Sequence, residues 1–150
     1  MEMIFQLEDD LLFPPIHLAE EDGLLAVGGD LRSERLILAY KNGIFPWYSD
    51  NDPILWFAPH DRFVLYPERL KISKSMKQIF RANKFKVTFN NAFADVIKNC
   101  ATIDRADQDG TWITNDMQKA YIVLNELGYA HSVEVWEDEK LVGGIIWCFN

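Results

Sequence analysis

The chain has 150 residues, of which 49% are hydrophobic and 25% charged, and a formal net charge of −8. That length suits one domain, or one domain with a small appendage, and the composition excludes a disordered chain. The negative charge argues against indiscriminate nucleic-acid binding, and no apolar run approaches the roughly 20 residues of a membrane span. The first ten residues are acidic where a secretion signal is basic, and two cysteines and three scattered histidines form no metal motif. A soluble cytoplasmic protein with no membrane span and no zinc site is the expectation.

In chain order, residues 3–7 read as a short apolar strand, followed by a loop with Pro14 and Pro15. Gly28-Gly29-Asp30 lacks the Lys-Ser/Thr of a phosphate loop, so it reads as a tight turn with Asp30 capping nearby backbone. Ser33 is placed to cap a helix through Tyr40, and Gly43 to end it. Pro46, Pro53 and Pro59 cut the next stretch into extended pieces. Residues 63–66 predict a strand.

Ser73 predicts the N-cap of a helix running to about Asn83. Lys74, Lys77, Arg81 and Lys84 recur at helical spacing on one face, with Met76, Ile79 and Phe80 opposite. Residues 85–89 alternate as a strand. Asn90 or Asn91 then starts a helix carrying Phe93, Val96, Ile97 and Cys100. Residues 102–110 form a polar loop. Thr114 caps a further helix, with Tyr121 and Leu124 on its apolar stripe and Gly128 at its end. Residues 131–136 and 141–147 make a hairpin around an acidic turn. Mixed helices and strands predict an α/β or α+β fold.

Charge carries the first functional signal. Residues 69–86 hold Arg69, Lys71, Lys74, Lys77, Arg81, Lys84 and Lys86 and no acid. Solvated faces usually mix signs, so a basic island in an acidic chain points to a local anionic ligand such as phosphate. The alternative is a solvated helix surface.

Aromatic residues carry the second. Trp47 and Trp112 lie in loops just outside helices, where an indole either stacks on a base or pins its loop to the core. Trp56, Trp136 and Trp147 lie on strand-like segments and are assigned to the core. His131 and Ser132 are adjacent on a strand, so they face opposite ways and cannot act as base and nucleophile together. Glu134 shares a face with Ser132 and is a catalytic candidate. The residues themselves assemble no convincing active site.

The segments 23–31 (Gly-Leu-Leu-Ala-Val-Gly-Gly-Asp-Leu), 43–47 (Gly-Ile-Phe-Pro-Trp), 110–114 (Gly-Thr-Trp-Ile-Thr) and 128–136 (Gly-Tyr-Ala-His-Ser-Val-Glu-Val-Trp), with Leu141-Val142-Gly143-Gly144, occur in order. Together they resemble the leucyl/phenylalanyl-tRNA–protein transferases, over residues 23–144. The resemblance implies a bacterial cytoplasmic aminoacyltransferase that moves Leu or Phe, less readily Met, from aminoacyl-tRNA to a protein's N-terminal Arg or Lys, marking that protein for degradation. It implies no metal or cofactor, because the ester is already activated. It implies an α+β fold: a small N-terminal α/β domain (1–60), then the first part of a GNAT-like acyltransferase domain (61–150) whose remainder is missing.

By the same resemblance, Trp47 and Trp112 sandwich the 3′-terminal adenine of the tRNA. Lys74, Lys77 and Arg81 match a basic cluster on the tRNA backbone, extended here to Lys71 and Lys84. Ile145 stands where some members carry Met and is assigned to the amino-acid pocket. No catalytic residue is assigned. After Gly144 the family continues differently, and a one-base shift of a coding sequence such as ATA-TGG-TGT-TTC for residues 146–149 reads Tyr-Gly-Val, the family's continuation. A truncated form is therefore expected, with an exposed apolar edge and a tendency to self-associate. Two other readings stand beside transfer: a tRNA 3′-end-binding module without turnover, and an acetyl-CoA acetyltransferase, disfavoured because no Gly-rich pyrophosphate loop is present.

Overall fold

The computed structural model describes residues 4–103 and 111–148, so most of the polar loop expected at 102–110 lies outside the described residues. Two sheets and four helices make the α+β architecture. Strands β1 (Phe5–Leu7), β2 (Leu24–Gly28), β3 (Phe45–Pro46) and β4 (Leu55–Phe57) form one sheet in the order β1-β2-β4-β3. Only β1 and β2 run parallel. Strands β5 (Lys86–Phe89), β6 (Ala130–Glu137) and β7 (Lys140–Cys148) form a second, antiparallel sheet in chain order.

Helix α1 (Ser33–Lys41) follows the Gly-Gly-Asp turn. Gly28 and Gly29 sit at φ +89° and +71°, in the left-handed region that glycine tolerates. A side chain on Gly29 would meet the Arg35 guanidinium at 3.2 Å. Asp30 accepts from the Arg32 backbone N–H at 3.0 Å and from the Arg35 guanidinium at 3.3 Å. Fully buried Arg35 also donates to the carbonyls of Glu8 and Asp10, tying the N-terminal loop to this turn. The turn is therefore structural, as the sequence suggests. Ser33 is not the cap: Arg32 holds that position without a side-chain cap bond, and Asp30, two residues before it, accepts from its N–H.

Helices α3 (Phe93–Thr102) and α4 (Asn115–Glu126) cover one face of the second sheet. Thr114 accepts from the Met117 N–H at 3.2 Å, the local cap that the sequence predicts. Helix α3 starts at Phe93, later than expected, because Asn90 turns with φ +56° and bonds the Ser132 N–H instead of capping. Buried Leu25, Leu36, Trp56, Phe93, Ile97, Met117, Tyr121 and Leu124 belong to one core that draws on both sheets.

Two strand expectations need correction. Residues 63–66 form no strand, and their apolar side chains are exposed. The run is four consecutive apolar residues without polar alternation, and it enters no strand pairing among the described residues. Trp147 is not a core residue. It pairs across the ladder with His131, so it shares the outer face of the sheet and is 37% exposed. That face also exposes Val87, Phe89 and Ile145.

Candidate nucleic-acid interface

The route from α1 to β4 builds an aromatic wall. Gly43 takes φ +71° and turns the chain out of α1. Ile44 is buried behind it, and Phe45 and Pro46 pair with Phe57 and Trp56 on β4. Pro46 has no N–H to give, which β3 tolerates as an edge strand. The Trp47 N–H then donates to the Leu55 carbonyl at 2.9 Å. Its indole packs at 6.0 Å from the Phe57 ring, which is itself stacked on Phe45 at 6.3 Å. Trp47 stays 50% exposed, so it is anchored from one side only.

The opposite wall comes from the loop before α4. Thr111 accepts from the Ile113 N–H at 3.1 Å, Ile113 is buried, and Thr114 caps the helix. Trp112 between them lines, with Phe45, Pro46 and Trp47, one cavity of about 250 Å³. All four lining side chains are apolar, so among the described residues the cavity offers aromatic faces and no acid or base.

Hydroxyl contacts join the two walls from behind. Thr114 and Tyr48 hydrogen-bond at 3.3 Å, and the phenols of Tyr40 on α1 and Tyr121 on α4 meet in a short hydrogen bond. Burial pushes both of these phenols well above the usual tyrosine range, so they remain neutral, and burial raises the Cys148 thiol to about 11. These groups fix the walls and do not titrate near neutrality.

The basic island forms helix α2 (Lys74–Ala82), capped by Ser73, which accepts from the Met76 N–H at 3.1 Å, and ended by Asn83 in the left-handed region. Lys71, Lys74, Lys77 and Arg81 are exposed and, among the described residues, have no carboxylate within ion-pair distance. Lys84 differs, because its ammonium sits 2.6 Å from Glu137, whose hydrogen bond and charge raise the Lys84 pKa. Met76, Ile79 and Phe80, on the other side of α2, are exposed too.

The structure does not bring Ile145 to the tryptophans. Ile145 lies opposite Val133 on the outer face and is 60% exposed. Its neighbour Ile146 points inward and shares a narrow crevice with Ile97, Trp112, Met117 and Tyr121. Strand alternation placed these two on opposite faces but not which face met the tryptophans.

Glu134 is buried, with both oxygens engaged. It accepts from Thr88 and Ser132 hydroxyls, each at 2.5 Å, and from the Asn91 and Ala92 N–H groups at 3.4 Å. Burial alone would raise this carboxyl, but those four donors hold it below its ordinary value. It therefore caps α3 from a neighbouring strand and has no free atom for catalysis. Thr88 also accepts from the Trp136 indole at 2.8 Å. Among the described residues no group of three or more His, Cys, Asp or Glu could hold a metal, and no helix is long and apolar enough to cross a membrane.

Sequence comparison adds a second line. Residues 64–148 match the family profile of the leucyl/phenylalanyl-tRNA protein transferases, and residues 29–60 match the profile of that family's N-terminal domain. A leucyl/phenylalanyl-tRNA–protein transferase of Syntrophobacter fumaroxidans is 58% identical over 142 residues, covering 95% of this chain and 61% of the relative. Its counterpart in Syntrophus aciditrophicus is 60% identical over 135 residues, covering 90% of this chain and 56% of the relative. The one in Flavobacterium johnsoniae is 55% identical, covering 95% and 67%. The chain thus spans roughly three fifths of the length of these curated relatives.

Proposed function

The chain belongs to the leucyl/phenylalanyl-tRNA–protein transferase family, and from that premise we propose that it binds the 3′ end of aminoacyl-tRNA and serves transfer of Leu or Phe, and less readily Met, to proteins that begin with Arg or Lys. One observation carries the reading: two tryptophans far apart in sequence line one apolar cavity of about 250 Å³. That is smaller than the roughly 300–1,000 Å³ of most small-molecule sites and suits a single base stacked between indoles. Terminal adenine is the base that every tRNA shares. Lys71, Lys74, Lys77 and Arg81 serve as phosphate contacts that position the tRNA without reading its sequence. Lys84 contributes less, because Glu137 already neutralises it.

The transfer itself is aminolysis of an ester. The neutral α-amine of the acceptor attacks the aminoacyl carbonyl, the C–N bond forms, and the bond to the ribose oxygen breaks. The amine's proton ends on the departing ribose hydroxyl. The acceptor's basic N-terminal side chain and the cytoplasmic setting belong to the same proposal.

A second reading is a tRNA-end-binding module without turnover. It is favoured by the cavity's lining, which among the described residues supplies four apolar side chains and no titratable group. Transfer of labelled leucine from charged tRNA to an Arg-initiated protein separates the two. Transfer supports the enzyme, and tight binding of charged tRNA without transfer supports the module. Absence of both binding and transfer would leave neither reading standing.

A further inference from the structure

Arg62 stands one ring away from the tryptophan cavity. Its guanidinium carbon lies 5.9 Å from the centroid of the Phe45 ring, and Phe45 lines the cavity with Trp47 and Trp112. One guanidinium nitrogen donates to the Gly43 carbonyl, at the turn that starts the aromatic wall. Gly43 takes φ +71°, and a Cβ placed there would lie 3.5 Å from the same nitrogen, an ordinary contact, so Arg62 sits directly against this turn.

Arg62 is exposed and, among the described residues, has no carboxylate within ion-pair distance. A guanidinium has about five N–H donors, and one carbonyl uses one of them. The remaining edge is a fork suited to two oxygens of one anion. A loop clamp alone needs only the bond to Gly43. Cation–π contact with Phe45 then fixes where the charge points, at a cost in side-chain freedom already met before any ligand arrives.

We propose that Arg62 is a phosphate-binding residue that receives the phosphate attached to a base held between Trp47 and Trp112. This rests on the base-stacking reading above and adds a contact to it. The ligand chemistry is a phosphate one sugar away from a stacked base. It comes either from the phosphodiester of a strand's 3′ end or from a free nucleotide.

The test is a tryptophan-fluorescence titration of the 150-residue chain with adenosine, adenosine 5′-monophosphate and the dinucleotide CpA. Wild type is compared with Arg62→Gln, Arg62→Lys and Trp112→Ala. The expected result is that CpA binds more tightly than adenosine. Arg62→Gln should weaken CpA roughly tenfold while leaving adenosine unchanged, as for loss of a charge-assisted hydrogen bond. The salt slope for CpA should fall by about 0.7, and Arg62→Lys should lie between. CpA tighter than the monophosphate assigns the phosphate to a strand; equal binding, with the same loss in Arg62→Gln, assigns it to a free nucleotide.

Equal weakening of adenosine and CpA by Arg62→Gln would reduce Arg62 to a loop clamp and overturn the proposal. So would wild-type binding that does not distinguish the three ligands. Adenosine binding insensitive to Trp112→Ala would instead remove the stacking reading, and this proposal with it.

Discussion

Ser132 donates to Glu134 at 2.5 Å across one step of the same strand, beneath the N-terminus of α3. The contact links the β5–β6 pairing to the placement of that helix, because the same carboxylate also takes the Thr88 hydroxyl at 2.5 Å. Glu134→Ala strands these buried donors and should cost about 1–3 kcal/mol per unsatisfied group, read from the urea midpoint. The Glu134 pKa is depressed in the folded chain, so its contribution is complete above the ordinary carboxylate range. It is lost as pH falls through the folded-state value, where the native state must take up the proton. Glu134→Gln should flatten the acid side of the stability curve, and an unchanged curve would show that Glu134 does not drive it.

Gly144 is required by its neighbour. A methyl there would lie 2.9 Å from both γ-carbons of Val96 and 3.2 Å from the Val133 carbonyl oxygen. Gly144→Ala should destabilise the chain by about 1–3 kcal/mol through overpacking. The double variant Gly144→Ala/Val96→Ala should recover part of that in thermal melts, with a non-additive coupling as the signature.

Removing either indole should weaken binding of an adenosine-ended oligonucleotide by about 1–3 kcal/mol. Trp47 is half-exposed, so Trp47→Ala should leave the circular dichroism spectrum unchanged. An affinity that survives both replacements would send the cavity back to a packing role.

On α2, alanine at Lys74, Lys77 and Arg81 should lower tRNA affinity equally for every tRNA sequence and reduce the salt slope by about 0.7–0.9 for each cation removed. Lys84→Ala should change affinity less, since its ammonium is already engaged by Glu137 at 2.6 Å. A weakening confined to some tRNA sequences would mean that these residues read bases.

The outer face of the second sheet exposes Phe89, Val87, Ile145 and Trp147 together. A patch of this kind drives association, so sizing chromatography should show a concentration-dependent shift to larger species, which Ile145→Lys reverses. A single monomeric species across the accessible concentration range would contradict it.

Local signals were the legible ones. Ser73 and Thr114 marked their helices because a cap is made within one turn, and the 131–147 hairpin showed its own period. What escaped depended on distant partners. Residues 63–66 had the apolar content of a strand but paired with none, and Ser33 lost the cap position to Arg32, whose N–H is held by Asp30. Glu134 read as a candidate acid because its four donors lie on other segments or one strand step away. Trp136 and Trp147 looked alike in sequence, yet ladder register puts Trp147 opposite His131 and Trp136 opposite Lys86, on opposite faces. The Trp47–Trp112 cavity came from family likeness. No periodicity connects two loops so far apart, and Arg62 gave no signal until its approach to Gly43 and Phe45 was visible.

The two walls of the cavity are made at different times. Trp47 leaves the ribosome with the first sheet, while Trp112 waits for α4 to form and for Tyr121 to reach Tyr40. If the cavity holds a base as proposed, a nascent chain cannot hold one until its later half has docked on its earlier half. On that proposal, ligand binding would report the docking of the two halves.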